Sequence, residues 1–141
     1  MKNAVVSLSV PATVSGVREA ILAFERFGRA HVLAADTAWR VGLALDEILS
    51  NIVRHHGPGP RVAIDVTFSL DGDRVSVEVV DGAAPFNPLL APAPDTSSPL
   101  ERRQPGGLGI ALVRSLMDDT RYERRDSANH IVMQCSPRAD R

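Results

Sequence analysis

Glu47 and Asn51 are the first side chains in this sequence whose types and spacing suggest chemistry. They lie four residues apart, so on a helix both point the same way, one turn apart. The helix is predicted by an apolar stripe on a different face, with spacings of four, three and four: Val41, Leu45, Ile48 and Ile52. A carboxylate and a carboxamide aligned beside such a stripe can hold a water, a hydroxyl or a hydrated cation. The alternative is a solvated polar face, to which the neighbouring Asp46 would also belong.

Asp81 is the second candidate. It follows Val75, Val77 and Val79 in the same parity, and residues of one parity face one side of a strand. If helices cover that side, the carboxylate lies at the edge of the core and needs a hydrogen-bond donor from protein or ligand, because an unpaired buried charge is costly. The alternative is a turn, since Asp81 and Gly82 form a common pair at the end of a strand.

Residues 106–109, Gly-Gly-Leu-Gly, lead into a predicted helix and form the third candidate. Exposed N–H groups and the positive end of the helix dipole can hold a phosphate at such a position. The spacing differs from that of a P-loop, and no strand directly precedes it, which disfavours a P-loop or a Rossmann fingerprint. The alternative is a flexible hinge in front of a helix.

The elements that position these residues can be predicted from periodicity. Residues 4–10 predict a strand that Pro11 ends. A helix from about residue 13 to residue 30 is predicted by helical spacing of its apolar residues: Val14, Val17, Ile21 and Phe24. Asp36 or Thr37 is expected to cap the helix that carries Glu47 and Asn51. Gly-Pro-Gly-Pro at 57–60 is expected to end that helix.

Two alternating apolar runs, at residues 62–70 and 75–79, flank Asp-Gly-Asp at 71–73 and predict a β-hairpin. Residues 83–105 contain six of the ten prolines and no apolar period, which is typical of a functional lid or a disordered insert. A third helix follows, with Ile110, Val113 and Leu116 or Met117 at helical spacing, and then two strands around residues 126–129. The order β-α-α-β-β-lid-α-β-β favours an α+β two-layer sandwich with a largely antiparallel sheet.

Length and composition exclude several classes of function. A chain of 141 residues predicts one domain, and a net charge of −1 offers no electrostatic case for nucleic acid or an anionic membrane. No apolar run reaches the length of a membrane span, and a single cysteine, Cys135, fits a reducing compartment such as the cytoplasm. The four histidines lack zinc-site spacing: His31, His55, His56 and His130.

Three motifs in a fixed order carry a family resemblance. Residues 45–51 (LDEILSN), 79–88 (VVDGAAPFNP) and 106–114 (GGLGIALVR) resemble the three motifs of the GHKL (Bergerat) ATP-binding fold, shared by histidine-kinase catalytic domains, Hsp90, gyrase B and MutL. The resemblance covers nearly the whole chain. It implies a two-layer α/β sandwich with a mixed, mostly antiparallel sheet, helices on one face and an ATP lid at about 83–105.

Within that superfamily the chain resembles the bacterial anti-sigma factor serine/threonine kinases, which act by partner switching. The domain is expected to stand alone, as in that class, and residues 85–88 (PFNP) are similar to its Pro-Phe-Asp-Pro stretch. Residues 106–118, followed by Tyr122 and Asn129, are similar to its C-terminal pattern. The resemblance implies a cytoplasmic, Mg-ATP-dependent kinase that phosphorylates an STAS-type anti-anti-sigma factor, sequesters a sigma factor and forms a homodimer.

The same resemblance implies roles for individual residues. Glu47 would be the general base toward the acceptor serine, Asn51 would ligate Mg²⁺, and Asp81 would accept from the adenine amino group. Such a division suits phosphoryl transfer, which needs mainly positioning and charge stabilisation. Further nucleotide contacts would come from the lid and the third motif: Phe86, Gly106, Gly107, Leu108 and Gly109. Arg102 or Arg103 in the lid would meet the phosphates.

One departure from the pattern is Ala83. It replaces a glycine of the second motif that lets the backbone approach the adenine ring closely. Its methyl is expected to narrow the adenine pocket or weaken binding, unless Gly82 compensates by a shift of register. A second hypothesis is therefore a nucleotide-gated binding module that sequesters partners without phosphorylating them. A detached histidine-kinase catalytic domain is a weaker third, because the chain has no candidate phospho-accepting dimerisation helix.

Overall fold

Helices cover one face of an antiparallel sheet in the computed structural model, which describes residues 3–56, 62–90 and 107–138. Within these ranges the elements follow the predicted order: β1 Asn3–Pro11, α1 Val14–Ala30, α2 Ala35–His56, β2 Ala63–Asp71, β3 Arg74–Asp81, a 3-10 turn Pro88–Leu90, α3 Gly107–Leu116, β4 Asp119–Arg125 and β5 Ala128–Cys135. The α+β fold class and the helices on one face are confirmed. None of the described helices is both long and apolar enough to span a bilayer.

The described strands form one sheet in the order β1-β2-β3-β5-β4. Every pairing among them is antiparallel, so the expectation of a mixed sheet is wrong for this part of the chain. The predicted hairpin joins β2 to β3, with Asp71 opposite Arg74 and Gly72 at a φ of 65°. The second hairpin turns at Asp126 and Ser127, whose φ angles of 54° and 60° are those of a tight type I′ turn.

Strict alternation places the apolar side chains of three central strands against the helices. Those of β2, β3 and β5 that face the helices are buried: Ile64, Val66, Phe68, Leu70, Val75, Val77, Val79, Ile131, Met133 and Cys135. The predicted stripe of α2 is buried too, as are the apolar residues predicted for α3. Val14 differs, because it lies at the first turn of α1 and is 81% exposed.

The two long helices begin in different ways. Thr13 caps α1, with its hydroxyl accepting from the Gly16 amide at 3.0 Å, in agreement with the predicted start. The predicted cap of α2 is wrong, because that helix already begins at Ala35, so that Asp36 and Thr37 lie inside it. The Asp36 carboxylate pairs with Arg40 one turn later, at 2.8 Å.

Arg40 is a buried cation that ties three parts of the chain together. Its side chain is 1% exposed and donates to Asp36, to the Leu116 carbonyl at 2.8 Å and to the Ser136 carbonyl at 2.5 Å. The hydrogen bond from Arg40 holds the pKa of the Asp36 carboxyl below its ordinary value. Burial raises the pKa of the Cys135 thiol, which lies at the end of β5, directly before Ser136. Because Leu116 ends α3, Arg40 anchors the C-terminal end of that helix to α2.

Gly16 allows the chain to turn from β1 into α1. A methyl group built on Gly16 would lie 1.9 Å from the Pro11 carbonyl oxygen, whereas one built on Gly42 in α2 would have no atom within 4 Å. We therefore expect Gly16→Ala to destabilise the fold by about 2 kcal/mol or more, because backbone has to move. Gly42→Ala should be neutral or stabilising by up to about 1 kcal/mol, through helix propensity. Urea denaturation of both variants measures this, and equal midpoints would contradict the expected crowding at Gly16.

Candidate functional site

Glu47 and Asn51 lie side by side on α2, as their spacing predicts. The Asn51 amide donates to Glu47 Oε1 at 3.4 Å, and Asn51 is buried while Glu47 is 26% exposed. Arg54, one further turn along, donates to Asn51 Oδ1 and also reaches Glu47 Oε1 at 3.5 Å. The pair is therefore a partly buried polar cluster with one cation beside it, and not a fully solvated face.

The start of α3 lies against the Glu47 carboxylate. A methyl group built on Gly109 would fall 1.9 Å from Glu47 Oε1 and 2.0 Å from its carboxyl carbon. No side chain larger than hydrogen fits there unless the carboxylate moves. This contact joins the first and third sequence candidates directly, although they are distant in the chain.

Asp81 lies at the end of β3 and is 4% exposed, as its parity predicts. Its Oδ1 accepts from the Asn129 amide at 3.0 Å and from the Ala83 backbone N–H at 3.0 Å. The required donors are thus found within the protein. The turn interpretation also holds, because a side chain that accepts from the amide two residues on is a typical Asx turn.

Asn129 organises this end of the sheet and is 1% exposed. Its amide nitrogen donates to Asp81 and to the Ala84 carbonyl at 3.0 Å. Its Oδ1 accepts from the Phe86 backbone N–H at 3.1 Å and from the Tyr122 hydroxyl at 2.6 Å. One buried carboxamide therefore holds the aspartate and the first residues after β3 in a single network.

The first residues of the predicted lid are attached to the helices on both sides. The Phe86 ring stacks on the His55 ring near the end of α2, with centroids 3.7 Å apart and planes 5° from parallel. Leu89 is 5% exposed, and its carbonyl accepts from Arg114 of α3. Residues 83–90 thus connect the end of β3 with both α2 and α3.

Some predicted site residues lie outside the described part of the chain. Gly106 and lid residues 91–105, which include Arg102 and Arg103, are among them. Gly107 and Leu108 are described as the first backbone positions of α3. Of the remaining predicted residues, Glu47, Asn51 and Gly109 are brought together, whereas Asp81 and Phe86 belong to the Asn129 network.

Three residues of this region were not assigned a role by sequence reasoning: Arg54, His55 and Asn129. Helical spacing carries a signal for Arg54, because it lies three residues after Asn51 on the same side of α2. No local pattern identifies Asn129 as the partner of Asp81. That pairing depends on the register of β5 against β3, which places the two residues opposite each other.

The donor set bears on whether a metal ion fits here. Among the described residues there is no group of three or more His, Cys, Asp or Glu side chains that could hold a metal. Asn51 Oδ1 nevertheless accepts from a cationic guanidinium, so this oxygen is oriented toward positive charge. A single amide oxygen suits Mg²⁺ where phosphates and waters complete the shell, since this ion retains several waters.

Comparison with known proteins extends these observations. The family described as "Histidine kinase-like ATPase domain" matches residues 10–135. The serine/threonine-protein kinase BtrW of Bordetella bronchiseptica is 33% identical over 133 residues, which cover 94% of this chain and 92% of BtrW. The serine-protein kinase RsbW of Bacillus mycoides is 33% identical over 82 residues, or 55% of this chain and 51% of that protein.

A solved structure has the same fold. It contains the RsbU and RsbW domains of Rv1364c from Mycobacterium tuberculosis and superposes with a TM-score of 0.66, covering 94% of this chain and 32% of that one. Sequence identity is 15%, so this likeness concerns the architecture alone.

Proposed function

The chain belongs to the histidine kinase-like ATPase family and, within it, to the anti-sigma serine/threonine kinases, and we propose that it phosphorylates an STAS-type anti-anti-sigma factor from Mg-ATP. ATP use follows from the family, whereas the acceptor and the metal are our proposals. The observation that supports a phosphoryl-transfer site is the contact between Glu47 and Gly109, with Asn51 beside the carboxylate. The carboxylate that we propose as the base, the amide oxygen that we propose as the metal ligand and the start of α3 are therefore neighbours.

The proposed transfer uses few protein groups. The acceptor hydroxyl oxygen bonds to the γ-phosphorus, its proton passes to the Glu47 carboxylate, and the bond to the bridging oxygen breaks to leave ADP. Asn51 would hold Mg²⁺, which neutralises phosphate charge when bound. Glu47 has two neighbours on its own helix that keep it in place, the Asn51 amide and Arg54.

The nucleotide would be held at three places. Asp81 would accept a hydrogen bond from the adenine amino group, and Asn129 supports it in that position. Phe86 would contact the nucleotide from the base of the lid. Backbone N–H groups would meet the phosphates at the start of α3: Gly106, Gly107, Leu108 and Gly109. A lid at 83–105 would close over them, with Arg102 or Arg103 toward the phosphates.

The proposed cellular role is partner switching. Unphosphorylated STAS partner would hold the kinase, and its phosphorylation would free the kinase to sequester a sigma factor. We propose further that residues 1–141 act as one domain, as a homodimer in the cytoplasm. Incubation of the protein with radiolabelled ATP and its cognate STAS protein tests the central step. Label on a serine or threonine of the partner supports the proposal, and absence of label from wild-type reactions excludes it.

A nucleotide-gated binding module without kinase activity is the second candidate. Ala83 favours this candidate, because it stands where the motif has glycine. Its backbone N–H also donates a hydrogen bond to Asp81, the residue proposed to bind adenine. Calorimetry with ATP and partner pull-down with and without nucleotide separate the two candidates. Partner binding without any transfer of phosphate favours the module.

Gly109→Ala should lower transfer at least tenfold while the protein stays folded. The new methyl would collide with the Glu47 carboxylate, and a flexible side chain yields more readily than backbone, so the base moves out of place. A misplaced catalytic group typically costs up to about 100-fold in rate. Initial rates at saturating partner measure the loss, with thermal unfolding as a check on folding. Ser115→Ala, at the exposed far end of α3, is the control, and unchanged transfer in Gly109→Ala would refute the importance of the contact.

A further inference from the structure

A groove runs along the outer surface between α1 and α2, away from the sheet. It consists of two adjoining depressions with volumes of about 560 and 290 Å³. Both are lined by Ile21, Glu25 and Asp46, so they form one continuous surface. We call it the α1–α2 groove. One of its ends lies at Trp39 and the other at Ser50 and Arg54.

Large apolar side chains are exposed along the α1–α2 groove. Trp39 is 61% exposed, Val14 81%, Leu22 41% and Leu43 37%. Trp39 is also the single tryptophan of the chain. Exposed apolar side chains are ordinary when scattered, but several along one concave surface are typical of an interaction site. The walls also carry both signs of charge, with Arg18 among the basic residues, which suits a protein better than nucleic acid or an anionic membrane.

The position of the groove relative to Glu47 indicates what occupies it. Arg54 lines one end of the groove and also contacts the Glu47 carboxylate. In the proposed kinase reaction the hydroxyl that reaches Glu47 belongs to a protein, and that protein would have to cover the residues around this end. Trp39 and Arg54 are about 22 Å apart along α2 at 1.5 Å per residue. One side of a standard protein interface covers about 800 Å², or roughly 28 Å across, so the groove is long enough to span most of such a patch.

We propose that the acceptor protein docks in the α1–α2 groove and that Trp39 is a docking residue remote from the chemistry. This rests on the proposed kinase function, because the acceptor is the protein that must reach Glu47. Trp39 would contribute to acceptor binding without touching nucleotide or the transferred group. Tryptophan is one of the three residue types, with tyrosine and arginine, that are enriched among the side chains that dominate the binding energy of protein interfaces.

The first test is kinetic. Trp39→Ala is expected to raise the KM for the acceptor roughly 10- to 30-fold. It should leave kcat at saturating acceptor and the Kd for ATP unchanged. Val5→Ala is the control, because Val5 is 70% exposed on β1 and lies outside the groove. An unchanged KM in Trp39→Ala, or an equal rise in Val5→Ala, would overturn the proposal.

The second test uses the wild-type protein and needs no catalysis. Incorporation of 5-fluorotryptophan gives one ¹⁹F resonance, that of Trp39. Addition of the acceptor protein should shift or broaden this resonance, whereas ATP alone should leave it in place. A resonance that ignores saturating acceptor, or that shifts only with the concentration of the kinase itself, overturns the proposal; the latter result would mean that a second copy covers the groove.

The two tests also separate this inference from the proposed function. If the wild type transfers no phosphate but the acceptor shifts the Trp39 resonance, the kinase proposal fails and the docking site stands. If transfer occurs, but Trp39→Ala leaves the KM unchanged and the acceptor leaves the Trp39 resonance in place, the docking site fails and the kinase proposal stands.

Discussion

Glu47→Gln is expected to bind ATP with an affinity close to that of the wild type and to lose phosphoryl transfer by about 10²- to 10⁴-fold. The amide has the size and shape of the carboxylate and keeps an oxygen for the contacts with Asn51 and Arg54. It cannot accept the hydroxyl proton, so the loss should appear in the rate of transfer. Single-turnover transfer from radiolabelled ATP, with calorimetry for binding, measures the two properties separately.

The control for this prediction is Glu19→Gln, which makes the same chemical change on the exposed face of α1. It should match the wild type in both measurements. Transfer by Glu47→Gln at more than about a tenth of the wild-type rate would be too fast for a missing general base. In that case Glu47 would serve only to position the start of α3.

Asn51→Ala is expected to weaken Mg-dependent ATP binding by roughly 100-fold, which corresponds to about 2.7 kcal/mol. The substitution removes the amide oxygen that is oriented toward positive charge and proposed to hold the ion. The loss should be large with Mg²⁺ and small when EDTA removes it. Titration of ATP at several magnesium concentrations gives the dependence directly.

Arg54→Ala distinguishes the oxygen of Asn51 from its neighbour. Asn51→Ala also removes the acceptor of the Arg54 guanidinium, so a displaced arginine could mimic a lost metal ligand. If the metal explanation is right, Arg54→Ala keeps the magnesium dependence of ATP binding. If Asn51→Ala and Glu47→Gln give the same pattern, the proposed division between metal ligand and base is wrong.

The sequence predicted most accurately the features that depend on a single helix, strand or turn. The apolar stripe at residues 41–52 of α2 and the alternation of β2 and β3 predicted which faces are buried, because the repeats of helix and strand are local. The Asp71–Arg74 turn was predicted for the same reason. The start of α2 was missed, because Asp36 has a competing partner, Arg40, whose burial depends on α3 and on the segment after β5.

At the site, the sequence identified groups but not all of their partners. It placed Glu47 beside Asn51 and predicted that Asp81 needs a donor. It did not show that Asn129 supplies that donor, because this depends on strand order and register. Val14 is a residue that the sequence pattern placed wrongly. Helical spacing puts it on the apolar stripe of α1, whereas its position at the first turn leaves it exposed.

By itself, the sequence determined the order of the elements, the apolar faces and the polar pair on α2, because residues within a few positions of one another set these properties. The tertiary structure decided that Gly109 lies on the Glu47 carboxylate. That contact depends on how α3 packs on α2, where Arg40 binds the Leu116 carbonyl at the C-terminal end of α3. Packing between distant segments leaves no local period in the sequence. The neighbours that suit Glu47 and Asn51 to the proposed phosphoryl transfer are therefore visible only in the tertiary structure.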